Sequence, residues 1–327
     1  MTSVAPKQLL AEELRFYARS ERHLRPFQAW LSDLTPTIPL GDANDDSDVH
    51  GAAARALFPL LRTDRLGGLL LFSPSLPSTQ TLVRETLRPA VPAGMLCYTA
   101  HQLQGHGRGA NSWVSPAGCL TFSFTSALTD GATLPFVQYL VSLAILRAVE
   151  AVHPTPAHAN ALSPVRIKWP NDIYAGDKVK IGGMLCQSEY RDGKFNVTTG
   201  IGINISNKEP TQCLQDVLST DAAPCTVTKE EFLAAFCNAY EPMEEVFQQQ
   251  GFAPFMGEYE RKWLHTGQVV HVSSDAVGAA PGSTVPAVIK GLTSTGCLLA
   301  ESEGSRFELY PDGNSFDFLS GLLKRKL

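Results

Sequence analysis

Short apolar runs separated by polar or glycine-rich turns dominate the middle of the chain. They predict strands at Leu66–Phe72, Met95–Thr99, Cys119–Ser126, Val165–Trp169, Ile173–Tyr174, Met184–Tyr190 and Phe195–Ile205. The polar string Arg191-Asp192-Gly193-Lys194 between the last two runs predicts a hairpin turn. Two segments with helical periodicity, Leu134–Val152 and Lys229–Gln250, predict the main helices, and the hydroxyl pair at Ser78 begins a shorter helix that reaches Leu87.

The two ends of the chain differ in pattern from the middle. Residues 5–31 carry Leu10, Leu14 and Tyr17 at helical spacing and predict one or two helices, which Pro26 divides. Residues 35–50 are rich in Pro, Gly and Asp and predict a mobile loop. After His265, the runs Val269–Ser273, Val285–Leu292, Cys297–Glu301 and Arg306–Tyr310 predict the short strands of a small SH3-like barrel.

These patterns together predict an α+β fold in three parts. Residues 1–65 form an N-terminal extension with no evident helix-turn-helix, residues 66–265 form the main α+β domain, and residues 266–327 form the small β-barrel domain. A length of 327 residues agrees with two folded domains. With 44% hydrophobic and 18% charged residues, the chain has enough apolar material for a core, which excludes a disordered protein.

Charge and cysteine content narrow the classes of partner and compartment. The formal net charge of −5 argues against a general nucleic-acid or membrane-surface binder. The apolar window Leu134–Leu146 is too short to span a bilayer and predicts a buried helix. Seven scattered cysteines, an odd number without any CxxC pair, favour a reducing compartment over a disulfide framework or zinc site. We therefore expect a cytoplasmic protein, with a mitochondrial pool left open.

The string from Gln104 to Trp113 (QGHGRGANSW) is the first candidate for chemistry. Glycines let backbone N–H groups approach an anion closely, and Arg108 among them can contact a phosphate or carboxylate. The string lacks the GK[ST] ending of a P-loop and fits a dinucleotide-binding fingerprint only loosely. An ordinary glycine-rich turn explains the spacing equally well.

The second candidate is Lys168-Trp169-Pro170-Asn171-Asp172. A lysine at the end of an apolar strand, next to a rigid proline turn, can direct one positive charge into a cleft, where it stabilises a phosphate or an oxyanion. Asp172 is a candidate Mg²⁺ ligand, and Asn171 can orient either neighbour. Taken alone, a solvated lysine at a strand end is the commoner structure.

Two glycine-containing strings complete the set, Lys180–Met184 (KIGGM) and Gly200–Asn204 (GIGIN). Glycines inside strand-like runs mark a bulge or a close approach of a ligand to the backbone. Each string alone favours a bulge, but four such features close together favour a binding site.

In combination, these strings closely resemble those of biotin protein ligases, specifically the eukaryotic holocarboxylase synthetase type. The matching pieces, which occur in family order across about residues 66–320, are Ser78–Gln80, Gln104–Trp113, Ser115–Cys119, Pro135–Gln138, Lys168–Tyr174, Lys180–Met184, Gly200–Asn204 and Pro311–Asp317. The resemblance implies a mixed-sheet catalytic domain of the biotin/lipoate ligase type with a C-terminal SH3-like barrel. It also implies a reaction in which biotin and Mg·ATP give biotinyl-5′-AMP, and biotin is then transferred to a lysine of a carboxylase biotin-acceptor domain.

The resemblance also implies roles for individual residues. Lys168 and Arg108 would be the catalytic pair. The implied biotin-binding residues are Ser78, Thr79, Gln80, Gln102, Gly105, His106, Gly107, Arg108, Lys168, Gly182 and Gly183, and the implied nucleotide-binding residues are Arg108, Gly109, Asn111, Trp113, Asn171 and Asn204. Asp172 is the candidate ligand of the Mg²⁺ that arrives with ATP. No nucleic acid and no membrane is expected as a partner.

His106 departs from the family pattern, in which this loop position is usually Arg or Lys. A histidine that is neutral at pH 7 offers less positive charge to a carboxylate or phosphate. Two alternatives stay open beside the biotin ligase: a lipoate or octanoyl ligase of the same fold, and a biotin sensor without catalytic activity. The retention of both Arg108 and Lys168 disfavours the sensor.

Overall fold

A mixed eight-stranded sheet forms the centre of the molecule. The computed structural model describes residues 14–32, 38–87, 91–154, 163–273, 284–310 and 322–323. The sheet strands are β1 (Arg15–Ala18), β2 (Leu69–Leu76), β3 (Met95–Gln102), β6 (Cys119–Leu128), β7 (Val165–Lys168), β8 (Asp172–Ala175), β9 (Val179–Arg191) and β10 (Lys194–Asn204). Their order is β1-β2-β3-β6-β10-β9-β8-β7, and every pair is antiparallel except β2–β3. The predicted mixed sheet is confirmed.

Two strands outside this sheet, β4 (Gly105–His106) and β5 (Ser112–Trp113), form a small hairpin. The helices are α1 (Glu21–Leu24), α2 (Gln28–Ser32), α3 (Ala52–Leu57), α4 (Thr79–Thr81), α5 (Val137–Ala151), α6 (Leu214–Leu218), α7 (Lys229–Gln250) and α8 (Ala253–Lys262). A π-helical turn, Leu82–Thr86, continues α4, and 3₁₀ turns occupy Arg25–Phe27, Val49–Gly51, Phe58–Leu60 and Gly131–Phe136.

Helix α5 lies in the main core, in contact with both the sheet and α7. Together with its leading 3₁₀ turn it spans Gly131–Ala151, which is 21 residues with a mean hydropathy of 1.6 over its most apolar window. By length and composition this segment could cross a membrane, so the expectation that it is too short is wrong. However, 67% of that window is buried inside the protein. The apolar surface of α5 therefore packs in the protein core, and the prediction of a buried helix is confirmed.

The N-terminal region is part of the main sheet. The helix predicted through Leu14 and Tyr17 is wrong, because Arg15–Ala18 pairs with Leu69–Phe72 as strand β1. Helical structure does occur further on, at Glu21–Leu24 and Gln28–Ser32, with Pro26 in the 3₁₀ turn between them as expected. A strand is favoured over a helix at these residues because β1 buries Phe16 and Tyr17 completely on opposite faces of the sheet.

The hairpin between β9 and β10 forms as predicted. Asp192 and Gly193 adopt φ angles of 53° and 78°, the left-handed values that a two-residue turn of this type requires. This turn fixes the register of the two longest strands, which pair from Lys194 opposite Arg191 to Ile203 opposite Gly182.

A second, five-stranded sheet begins at Val269, in the region where the sequence predicts a small β domain. Its strands are β11 (Val269–Ser273), β12 (Thr284–Leu292), β13 (Leu298–Ser302), β14 (Ser305–Leu309) and β15 (Leu322–Leu323), in the order β14-β13-β12-β11-β15. The four predicted strands are confirmed, and β15 adds a parallel pairing to β11. The string Pro311–Asp317 lies outside the described residues.

Candidate active site

A cavity of about 500 Å³ opens beside the central strands of the main sheet. It is lined by residues from α4, β3, the glycine-rich loop, β6, the β7–β8 turn, β9 and β10. The lining residues are Ser78, Thr79, Gln80, Gln102, His106, Gly107, Arg108, Asn111, Ser112, Trp113, Thr121, Lys168, Trp169, Pro170, Asn171, Asp172, Lys180, Gly183, Met184, Leu185, Gly200, Ile201 and Gly202. All four strings singled out in the sequence therefore contribute to one cavity.

The start of α4 provides a rigid polar wall. Ser78 caps the helix, with its Oγ accepting a hydrogen bond from the Thr81 N–H. The Thr79 N–H donates to Gln102 Oε1 at 3.0 Å, and Thr79 Oγ1 lies 2.9 Å from Ser123 Oγ. Because these bonds join the helix to β3 and β6, the side chains of Thr79 and Gln102 are held in fixed positions.

Gln80 presents a buried acceptor without a partner. Its Nε2 donates to the Leu185 carbonyl and to Gln187 Oε1, at 3.2 and 2.9 Å. Its Oε1 is buried and has no hydrogen-bond partner among the described residues. A Cβ at Gly200 would lie 2.1 Å from this oxygen. The Gln80 amide therefore fits here only because residue 200 has no side chain.

Trp113 and Thr121 carry two further buried polar atoms of this kind. The Trp113 indole covers Gly202, where a Cβ would lie 2.5 Å from the ring. Trp113 Nε1 and Thr121 Oγ1 are buried without a partner in the described part of the chain. Each buried orphan group costs about 1–3 kcal/mol unless something satisfies it. The cavity wall is therefore suited to a ligand with its own donors and acceptors.

Strand register brings a cluster of charges to the opposite wall. Lys168 pairs with Asp172 between β7 and β8, so their side chains share one face of the sheet. A bulge after Ile173 sets Lys180 opposite Tyr174, on that same face. Lys168 Nζ lies 3.2 Å from Tyr174 Oη, and Lys180 Nζ lies 2.6 Å from Asp172 Oδ1.

The glycine-rich loop adds a third cation. It folds back as the β4–β5 hairpin, with the Gly107 N–H donating to the Asn111 carbonyl at 2.8 Å. Arg108 at its tip donates to Asn171 Oδ1 at 3.4 Å, which links the loop to the β7–β8 turn. Among the lining residues, Arg108, Lys168 and Lys180 face a single carboxylate, that of Asp172. The positive excess suits an anionic ligand.

Comparisons with known proteins identify the family. The family described as "Biotin/lipoate A/B protein ligase family" matches residues 72–204. The chain is 43% identical over 269 residues to biotin–protein ligase 2 of Arabidopsis thaliana, covering 82% of this chain and 80% of that protein. The chain belongs to the biotin protein ligase family. It is also 35% identical over 277 residues to the biotin–protein ligase of Homo sapiens, covering 81% of this chain and 36% of the human protein.

Solved structures of this family share the fold. The biotin protein ligase from Aquifex aeolicus in complex with biotin and ATP superposes with a TM-score of 0.55, over 73% of this chain and 94% of its own. The sequence identity of that pair is 24%, so the match speaks for the fold. It agrees with the mixed sheet and the small C-terminal sheet described above.

Four residues assigned to the site from the family resemblance do not line the cavity. Gly182 faces away, because a Cβ there would lie 2.3 Å from Ile203 Cδ1. Asn204 is buried, and its amide donates to Thr211 Oγ1 at 2.8 Å. Gly105 packs against Trp113, and Gly109 is exposed at the loop tip with a φ of 62°. Their positions indicate roles in shaping the turn, the sheet and the adjacent loop.

Sequence reasoning missed Lys180 and Thr121, which line the cavity, and Tyr174, which contacts Lys168. Lys180 stood inside the KIGGM string, but only the two glycines of that string received a role. The available signal was the lysine's place two residues before the glycine pair. The face of the sheet on which the Lys180 side chain lies depends on the bulge after Ile173, and the apolar pattern does not reveal that bulge.

The site does not contain a preformed metal cage within the described residues, since no group of three acidic, histidine or cysteine side chains comes together there. Mg²⁺ enters this family's reaction as part of the Mg·ATP substrate. One carboxylate plus substrate phosphates is a usual environment for that ion, and Asp172 on the cavity wall fits it.

Proposed function

We propose that the protein is a biotin–protein ligase that activates biotin with Mg·ATP and transfers it to a lysine of a carboxylase acceptor domain. The observation that carries this proposal is the arrangement of the cavity. Arg108, Lys168 and Lys180 line a space that also contains the orphan polar atoms of Gln80 and Trp113. A ligand with a ureido group at one end and a carboxylate at the other matches both walls.

In the first half-reaction, a carboxylate oxygen of biotin attacks the α-phosphorus of ATP. The bond from that phosphorus to the oxygen bridging to the β-phosphate breaks, and pyrophosphate leaves with the electron pair. Two anions must approach each other, so the reaction needs positive charge at the point of attack. Lys168 and Arg108 supply it in this proposal, and Lys180 adds a third charge next to Asp172.

In the second half-reaction, the amine of the acceptor lysine attacks the carbonyl carbon of biotinyl-5′-AMP. An amide forms, AMP leaves, and the amine releases a proton. The acyl adenylate hydrolyses if water reaches it, so a cover over the site serves the chemistry. The β4–β5 hairpin carries Arg108 at its tip and lies over the cavity, which suits that task.

The acceptor domain would dock on the edge of β9. Strand β8 covers β9 only as far as Gly183, so residues 187–191 pair with β10 alone among the described residues. An exposed strand edge can bind another strand by main-chain hydrogen bonds. Hydrogen exchange tests this docking: the backbone amides of residues 187–191 should be protected when an acceptor domain is added, and unchanged exchange there would contradict it.

The lipoate ligase and the sensor receive less support than the biotin ligase. The dithiolane ring of lipoate has no donors or acceptors for the polar wall formed by Thr79, Gln80 and Gln102. A sensor has no need for a cluster of three cations at the reacting end. For localisation, we propose the cytoplasm, because all seven cysteines are described and all are free thiols.

Biotin-dependent release of pyrophosphate from ATP tests the first half-reaction. Mass spectrometry of an added carboxylase acceptor domain tests the second, where a gain of one biotinyl group is expected. Lipoate in place of biotin is the matched control and should give neither product. Pyrophosphate release that depends on lipoate and not on biotin would overturn the proposal in favour of the lipoate ligase.

A further inference from the structure

The segment that joins the main domain to the C-terminal sheet runs along the outer edge of β7, the strand that ends at Lys168. Trp263 forms a parallel bridge with Ile167, and the Leu264 N–H donates to the Ile167 carbonyl at 2.9 Å. Arg166 donates to the Trp263 carbonyl at 2.6 Å. The connecting segment is therefore hydrogen-bonded to the strand that carries a site lysine.

His265 extends this contact to the residue that follows Lys168. The backbone N–H of Trp169 donates to His265 Nε2 at 3.0 Å. Since Nε2 must accept here, the proton of the neutral ring is on Nδ1, which donates to Gln268 Oε1 at 2.8 Å. Gln268 thus fixes the tautomer that can hold the Trp169 amide.

The surroundings keep His265 in this neutral form. The residue is fully buried, and its ring packs edge-on against Trp263 with centroids 5.3 Å apart. Burial and, to a smaller extent, the nearby positive charge of Lys168 together lower the pKa of His265 to about 4. At neutral pH the ring is therefore always available as an acceptor.

The side chain of Trp169 is held as firmly as its backbone. Its Nε1 donates to Tyr139 Oη at 2.7 Å, and Tyr139 donates to the Gly296 carbonyl in the C-terminal sheet region. Two bonds from different elements therefore fix the residue between Lys168 and Pro170. A turn fixed in this way sets the direction in which Lys168 leaves the strand.

We propose that His265 is a positioning residue for adenylate formation, acting through the Trp169 amide on the placement of Lys168. The inference rests on the proposed ligase function. His265 does not line the cavity among the described residues, so it acts on the geometry of the attack and not on the binding of biotin. A misplacement of about 1 Å at a reacting group can lower a rate about 100-fold.

Two substitutions at His265 distinguish the effect of losing the hydrogen-bond acceptor from the effect of changing the side-chain volume. His265→Phe fills the space but cannot accept the Trp169 N–H, whereas His265→Gln keeps an acceptor oxygen at similar reach. Biotin-dependent exchange of pyrophosphate into ATP gives kcat and KM, and calorimetry gives the biotin Kd. We expect His265→Phe to lower kcat about tenfold or more with the biotin Kd nearly unchanged, and His265→Gln to recover most of the loss.

Thr266→Val is the matched control in the same segment. Thr266 Oγ1 accepts from Trp263 Nε1 at 2.6 Å and donates to the Glu260 carbonyl, so its loss weakens the segment without touching the Trp169 turn. It should lower the melting temperature and leave kcat unchanged. An equal fall in kcat for this control, or no difference between the Phe and Gln variants, would overturn the positioning role.

Gln268→Leu keeps the test decisive if His265→Phe does not fold. It removes the partner of Nδ1 and leaves the imidazole in place, so the ring can adopt the wrong tautomer. A severalfold fall in kcat is expected, and an unchanged kcat would contradict the proposal. Wild-type protein without any biotin-dependent exchange would instead refute the ligase function itself, which keeps the two failures distinct.

Discussion

Lys180 Nζ lies 2.6 Å from Asp172 Oδ1, and this ion pair stands on the wall of the candidate active site. The pair exists because β8 and β9 slip by one residue after Ile173. Its two side chains are partly exposed, at 39% and 22%, so the contact itself adds little stability. The pair matters to the site because it holds the Lys180 ammonium group on the cavity wall that also carries Lys168.

Adenylate formation should depend on both Lys168 and Lys180. Lys168→Ala should lower the rate of adenylate formation about 100-fold or more, because one donor to the developing charge is lost. Lys180→Met should lower it about tenfold or more, since a further cation is removed while Asp172 stays. Single-turnover formation of biotinyl-AMP measures both, and thermal melts check the fold. A mild effect of Lys168→Ala would remove that residue from its proposed role.

Gly200→Ala should weaken biotin binding about tenfold, because the new Cβ would lie 2.1 Å from Gln80 Oε1 and push the amide out of place. Calorimetric titration with biotin measures the change. Gly257→Ala is the control, because a Cβ there meets only the end of the Arg261 side chain, at 3.4 Å. Equal biotin affinity for the Gly200 variant and wild type would contradict the assignment of Gln80 to the site.

His106→Arg should slow the escape of biotinyl-AMP. His106 lines the cavity and is exposed on the hairpin, where a permanent positive charge would attract the adenylate's phosphate. The dissociation rate of preformed biotinyl-AMP, followed by chase with unlabelled biotin and ATP, measures the effect. If the arginine leaves that rate unchanged, the charge at this position does not control retention.

Glu241→Ala should destabilise the fold by about 3 kcal/mol. Its buried carboxylate accepts hydrogen bonds from the backbone N–H groups of Asp64, Arg65 and Leu66, at 2.5, 3.0 and 2.6 Å. Urea unfolding measures the loss. Glu245→Ala, an exposed position one turn further along the same helix, should change the free energy of unfolding by less than about 0.5 kcal/mol. Similar losses for both variants would show that the hydrogen bonds to the Glu241 carboxylate do not stabilise the fold.

Stability should fall as the pH drops from 6.5 towards 4, in part because of His265. The folded protein keeps this ring neutral down to a pKa of about 4, whereas the unfolded chain protonates it near 6.5. The unfolded state therefore binds more protons in this window, which costs up to about 3 kcal/mol of stability at pH 4. Urea unfolding at pH 7 and pH 4.5 should show a smaller acid loss for His265→Gln than for wild type. Equal losses would contradict a buried neutral histidine.

Local patterns predicted most of the secondary structure because each signal lies within the element itself. Helix Lys229–Gln250 was predicted to the residue, and its start carries a capping box between Thr228 and Glu231. Strand β1 was missed because Leu10, Leu14 and Tyr17 fit a helical period equally well. It is a strand because β2 offers it a hydrogen-bonded partner more than fifty residues away along the chain.

The amino-acid sequence by itself determined the α+β architecture, the family and the four strings that meet at the cavity. These depend on residue types and on spacings within short segments. Only the tertiary structure decided which of those residues reach the cavity: it turned Gly182 to the other face, bonded the Asn204 amide to Thr211 and brought Lys180 in. The reason is that side chains alternate between the two faces of a strand, so one bulge in the register, set by partners distant in sequence, moves a residue from one face to the other.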